Sequence, residues 1–150
     1  ILWLEQNPDR LGSTVDELSL LLSAGPSSLA MSESNSLPSN QKPINKFTFD
    51  ACEDAQFMKN VKAENVDTWI ICGIEAHICV YQTTLSLKRM GFKVELVTDC
   101  VSSRTLANKN LAIQKLVNNG VELTGLEMCL FELVKDCRAP EFKEILGLIK

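Results

Sequence analysis

Six cysteines and a single histidine are the residues of this 150-residue chain whose chemistry responds most readily to surroundings, and position ranks them. Cys79 stands in Gly73-Ile74-Glu75-Ala76-His77-Ile78-Cys79, a turn between the most apolar strand signal and the helix signal that follows it. In open α/β sheets ligands bind at the carboxyl ends of the strands, beside the N-termini of the following helices. A thiol in a first helical turn meets unpaired N–H groups and the positive end of the macrodipole, and both favour the thiolate. Cys79 is therefore a candidate nucleophile, with a small buried hydrophobe as the other reading of the same residue. The remaining five favour the structural reading. Cys72 lies inside the strand run, Cys129 on an apolar helix face, Cys52 just inside a helix, and Cys100 and Cys137 in turns, with no Cys-x-x-Cys pair.

Three further residues stand close to that chemistry. His77 is two positions from Cys79, where side chains on a tight turn diverge, so a pocket wall or a hydrogen-bonded structural histidine fits it better than a direct dyad. Glu75 is either a solvated turn carboxylate or a polar group that supports the backbone. Lys46 precedes Phe47-Thr48-Phe49; it either sets an ammonium beside a thiolate or ends a strand at the surface.

The elements that position these residues belong to an α/β chain. Thr68-Trp69-Ile70-Ile71-Cys72-Gly73 suits a strand buried on both faces of a parallel sheet. A helix over 78–90 follows, with Val80, Thr84, Leu87 and Met90 on one face and Gly91 at its end. A strand over 93–98, a helix over 105–118, a strand over 121–124, a helix capped by Thr124 with Glu127, and a last helix from Pro140 complete the alternation. That order implies right-handed βαβ units. Upstream, Thr14 with Glu17 has capping-box spacing before Leu18, Leu21 and Leu22, and Asp50 with Glu53 precedes Phe57, Met58 and Val61. The stretch 23–43 is rich in serine and proline and reads as a flexible loop insertion.

Composition bounds the partners. With 45% hydrophobic and 23% charged residues, the length suits one domain, 1–150. A net charge of −4 and the lack of a basic stripe argue against a nucleic-acid partner. The apolar runs are too short for a membrane span or a signal peptide. One histidine cannot supply a site that needs two, so no metal is expected. The cysteine spacing reads as reduced thiols in a cytoplasmic protein. The first residue is Ile rather than Met, so the chain reads as a portion of a longer one.

At Gly73-Ile74-Glu75-Ala76-His77-Ile78-Cys79-Val80 the sequence resembles the isochorismatase-like cysteine hydrolase superfamily, in its isochorismatase domain-containing subgroup. The likeness continues in order through Glu5-Gln6-Asn7-Pro8, Leu11-Gly12-Ser13-Thr14-Val15, Lys46-x-x-Phe49, Gln82-Thr83-Thr84-Leu85, Asp99-x-x-Ser102-Ser103-Arg104, Thr124-x-x-Glu127 and Pro140-x-Phe142-Lys143-Glu144-Ile145. It implies a three-layer α/β/α sandwich with a central parallel sheet, lacking its first strand here. It also implies a Cys–Lys–Asp triad, with Cys79 as nucleophile and Lys46 as the cation that holds the thiolate. Attack on an amide-like carbonyl would give a thioester that water hydrolyses. A non-proline cis peptide would fall between Ile74 and Glu75 and aim the Glu75 and Cys79 backbone N–H groups as an oxyanion hole. His77 and Phe49 become pocket candidates. No residue of this sequence matches the family aspartate; Asp9 and Asp16 belong to other motifs. The Asp/His/His metal set of the nicotinamidase branch is missing, so neither metal nor cofactor is implied. The expected partners are a small-molecule substrate and further copies of the chain. A catalytically silent binding or scaffold protein is the alternative, and one branch of the subgroup carries a ribonuclease label.

Overall fold

The computed structural model describes residues 1–24 and 42–149. They fall into two compact units, Ile1–Glu64 and Asn65–Lys150.

In the first unit, β1 (Leu4–Gln6) pairs in parallel with β2 (Ile44–Lys46), and Gln6 stands opposite Lys46. Asn7 turns the chain at φ 43°, and Pro8, with φ preset by its ring, opens the one-turn helix α1 (Pro8–Leu11). Helix α2 (Asp16–Ala24) follows. The capping box expected from Thr14 and Glu17 does not form, because Thr14 is engaged from upstream: its hydroxyl accepts the Trp3 indole N–H at 2.7 Å, and its own N–H goes to the Glu5 carboxylate at 2.6 Å. Leu18 and Leu21, expected to face a core, are exposed. Ser23, assigned above to the loop insertion, closes α2 together with Ala24, while residues 25–41 of that stretch lie outside the described residues. Asp50 caps a short 3₁₀ turn (Ala51–Glu53) rather than the helix expected from it. That helix, α3 (Ala55–Ala63), takes its cap from Asp54, whose carboxylate accepts the Phe57 N–H at 2.9 Å, and it buries Phe57 and Val61.

In the second unit three strands run in parallel in the order β3 (Thr68–Gly73), β4 (Lys93–Val101) and β5 (Glu122–Thr124). Parallel neighbours need a crossover. Here these are a π-helical turn (Ala76–Val80) with α4 (Tyr81–Arg89), and α5 (Leu106–Asn118). The core joins Ala76, Val80, Leu85, Leu96, Val101, Ala112, Leu116 and Val121. On α4, Thr84 and Leu87 are buried as the periodicity requires, whereas Met90 is exposed. The expectation that β3 is buried on both faces is corrected: Ile70 is 44% exposed and Cys72 is exposed, and these alternate positions share one face of the strand, which is therefore not fully covered.

Helix α6 (Leu126–Val134) is not capped by Thr124 and Glu127. Gly125 is its cap residue, Asp99 of β4 accepts the Leu126 N–H, and the Thr124 hydroxyl bonds instead to the Gly125 carbonyl. Helix α7 (Phe142–Ile149) begins two residues after Pro140, and Phe142 meets Phe131 of α6 edge to face. The fold is α/β, with parallel strands flanked by helices. No helix among the described residues is long and apolar enough to cross a membrane.

Candidate active site

β3 ends at Gly73, whose φ of +117° lies where a Cβ is strained, so glycine is required for this exit from the strand. The Ile74–Glu75 peptide bond is cis. The chain then enters the wide turn Ala76–Val80, held by i to i−5 bonds from Val80 N–H to the Glu75 carbonyl and from Tyr81 N–H to the Ala76 carbonyl. Cys79 lies inside this turn, not in the first turn of a regular α-helix as periodicity alone suggests. Ala76 and Val80 are buried on either side of it and anchor the turn in the core, while Cys79 itself is half-buried. The placement keeps the expected topology: the thiol stands after the carboxyl end of a parallel strand and just before α4.

Around this turn the structure gathers Glu75, His77, Ser103 and Arg104. The Glu75 carboxylate accepts the Arg104 backbone N–H at 3.0 Å and lies 3.7 Å from the Arg104 Nε. His77 Nδ1 stands 3.0 Å from the Ser103 hydroxyl and 3.4 Å from Glu75 Oε2. His77 is thus a hydrogen-bonded histidine, and Glu75 a partly buried carboxylate that supports backbone. Composition and local spacing assigned no role to Ser103 or Arg104; their place in an ordered motif after β4 was the one signal that pointed to them.

Lys46 belongs to the first unit and ends β2. It does not reach the surface, being only 3% exposed. Its ammonium donates to Gln6 Oε1, to the Thr48 carbonyl at 2.9 Å and to the Phe49 carbonyl at 3.3 Å. All three acceptors are uncharged oxygens, and among the described residues no carboxylate forms an ion pair with this buried cation. Gln6 is held for this task by its own amide, which donates to the Phe47 carbonyl at 2.8 Å. Phe49 contributes its carbonyl, while its ring is exposed.

Four of the other five thiols are electrostatically disfavoured as thiolates. Burial, reinforced by the Asp50 carboxylate and by Glu53, pushes the Cys52 thiol up to about 12. Burial likewise raises Cys72, Cys100 and Cys129, with Asp99 adding to the effect at Cys100 and Glu95 and Glu132 at Cys129. These four are held as thiols near neutral pH. Among the described residues, no group of three or more His, Cys, Asp or Glu side chains is placed to hold a metal ion.

Comparison with known proteins fits this arrangement. The sequence model of the isochorismatase domain matches residues 12–128. The secreted isochorismatase effector Isc1 of Phytophthora sojae is 34% identical over 97% of this chain, which spans 63% of that protein's length. Among solved structures, the MAR1 ribonuclease from Caenorhabditis elegans superposes with a TM-score of 0.77 at 34% identity, over 97% of this chain and 67% of its own. YcaC from Pseudomonas aeruginosa, solved with hexane-2,5-diol and covalent acrylamide, gives a TM-score of 0.67 at 30% identity over 71% of this chain and 55% of its own. With the family match running through most of the chain and the fold shared with solved members, this protein belongs to the isochorismatase domain family.

Proposed function

We propose that the protein is a cysteine hydrolase that cleaves a C–N bond in a small amide-like substrate. Cys79 attacks the carbonyl carbon as a thiolate, the amine leaves with a proton, and water hydrolyses the thioester to the acid and the free thiol. Lys46 is the cation that holds the thiolate, and the backbone N–H groups of Glu75 and Cys79 receive the carbonyl oxygen as negative charge develops. His77 and Phe49 border the substrate. The proton acceptor in this chemistry is the family aspartate, which no residue of this sequence matches. The reading takes both units as one isochorismatase-like domain, since the family match from 12 to 128 runs across them. It includes a cytoplasmic homo-oligomer that works without metal or cofactor.

The observation that carries the reading is the position of Cys79, after the carboxyl end of a parallel strand and in a turn anchored by Ala76 and Val80. Two facts support it: four of the other five thiols are disfavoured as thiolates, and the related YcaC carries covalent acrylamide, an amide that reacts readily with thiolates. The test is ammonia release from a panel of small primary amides. Cys79→Ala, checked for an unchanged melting temperature, is expected to lose activity by on the order of 10³-fold or more. Equal activity in both proteins overturns the assignment.

A second reading, RNA cleavage, is favoured by the likeness to the MAR1 ribonuclease. The net charge of −4 opposes binding to a phosphate backbone. Degradation of a labelled RNA that survives Cys79→Ala would select this reading over the amidase.

A further inference from the structure

The turn that carries Cys79 is fastened to a second loop, residues 102–104, which follows β4. Two backbone bonds make the first connection: Ala76 N–H to the Ser102 carbonyl at 2.7 Å, and Ser102 N–H to the Gly73 carbonyl at 3.2 Å. Side chains make the rest. Glu75 Oε2 accepts the Arg104 N–H, lies 3.7 Å from the Arg104 Nε and 3.4 Å from His77 Nδ1, and His77 Nδ1 also meets the Ser103 hydroxyl.

Apolar packing contributes little at the entrance of the turn. Ile74, the apolar residue at its entrance, is 70% exposed, and the buried anchors Ala76 and Val80 come only afterwards. A surface carboxylate with one partner contributes little. Here a single oxygen is shared by groups from both segments, so its loss removes the side-chain part of the connection and leaves the segments joined by the backbone bonds through Ser102.

We propose that the Glu75 side chain is a positioning residue for Cys79: it latches the 73–80 turn to the Ser102-Ser103-Arg104 loop, and the latch fixes where the thiol stands. The inference rests on the nucleophile reading of Cys79. Glu75 Oε2 is engaged by Arg104 and His77, which suits the carboxylate to holding the turn rather than to moving a proton. The useful property is the acceptor at that point, so an amide oxygen there substitutes for the carboxylate, whereas a shorter side chain does not.

The probe is acrylamide, and the readout is the rate of its addition to Cys79, mapped by peptide and divided by the rate at exposed Cys137 in the same molecules. Glu75→Ala and Glu75→Asp are each expected to lower this ratio about tenfold, and Glu75→Gln to stay within about twofold of the unaltered protein. A role in stability alone lowers the melting temperature and leaves the ratio unchanged in every variant, which overturns the proposal. A loss in Glu75→Gln equal to that in Glu75→Ala overturns it as well, because charge rather than the latch would then be responsible. If Glu75→Ala does not fold, Glu75→Asp against Glu75→Gln gives the same decision. Failure of the underlying reading is seen separately, as a ratio near one in the unaltered protein; a high ratio there with no response to Glu75→Asp removes the latch alone.

Discussion

Asp99, on β4, accepts the backbone N–H of Leu126 through both carboxylate oxygens, at 2.9 and 3.1 Å. The bond ties the strand at the middle of the second unit's sheet to the first residue of α6. Capping of this kind satisfies an N–H that the helix itself leaves unpaired.

Asp99→Ala should therefore destabilise the protein by about 1 kcal/mol, the usual worth of a helix cap, and Asp99→Asn by less, since an acceptor is kept. Urea unfolding at constant slope measures the difference. A larger loss in Thr124→Ala than in Asp99→Ala would return the cap to the local pair and contradict the assignment.

Cap assignment is also where legibility in the sequence ended. The β3, turn and α4 unit could be read directly, because Gly73 and Gly91 punctuate a continuous apolar run and a helical periodicity. Three capping signals misled. Thr14 is taken by Trp3 and Glu5, Asp50 caps a 3₁₀ turn while Asp54 caps α3, and Thr124 yields to Asp99. A capping box is a spacing of three residues, whereas Asp99 and Leu126 are 27 apart, so folding alone brings them together. The same holds in the candidate site: Glu75 and Arg104 meet across 29 positions. Cys79 and its turn were visible from position, but the contacts that hold the turn were not.

Helix α5 separates its two faces sharply. Leu116 is 0% exposed and Leu111, about 140° away around the helix, is 55% exposed. Leu116→Ala is expected to cost about 2–5 kcal/mol and Leu111→Ala less than about 0.5 kcal/mol in chemical denaturation. Similar losses at the two positions would mean that α5 is rotated relative to the arrangement described.

Lys46→Met removes the donor that serves Gln6, Thr48 and Phe49, and sets an apolar side chain against those acceptors. The expected cost is about 1–3 kcal/mol of stability, read from the urea midpoint. Amide hydrolysis should fall as well, under conditions where the variant remains folded. A variant that is destabilised yet hydrolyses amides at the original rate would leave Lys46 as a structural residue only.

Cys52 predicts a pH dependence. Burial first, then Asp50 and Glu53, raises its thiol to about 12 from an ordinary value of 9.0. Above that ordinary value the unfolded chain releases a proton that the folded chain retains, so stability falls as pH rises. The contribution is complete below about pH 9 and is lost progressively towards about pH 12. In urea unfolding across that range, Cys52→Ala should show a shallower decline than the unaltered protein, above the background from Cys72, Cys100 and Cys129, which are shifted the same way. Parallel declines would remove Cys52 as a source of the effect.

The central claim is that Cys79 is the reactive thiol. Alkylation of the folded protein with iodoacetamide near neutral pH, followed by peptide mapping, compares all six cysteines in one sample. The account predicts that Cys79 is modified well ahead of Cys137, although Cys137 is the more exposed of the two, and that Cys52, Cys72, Cys100 and Cys129 lag behind both. Modification of Cys79 no faster than Cys137 would contradict it.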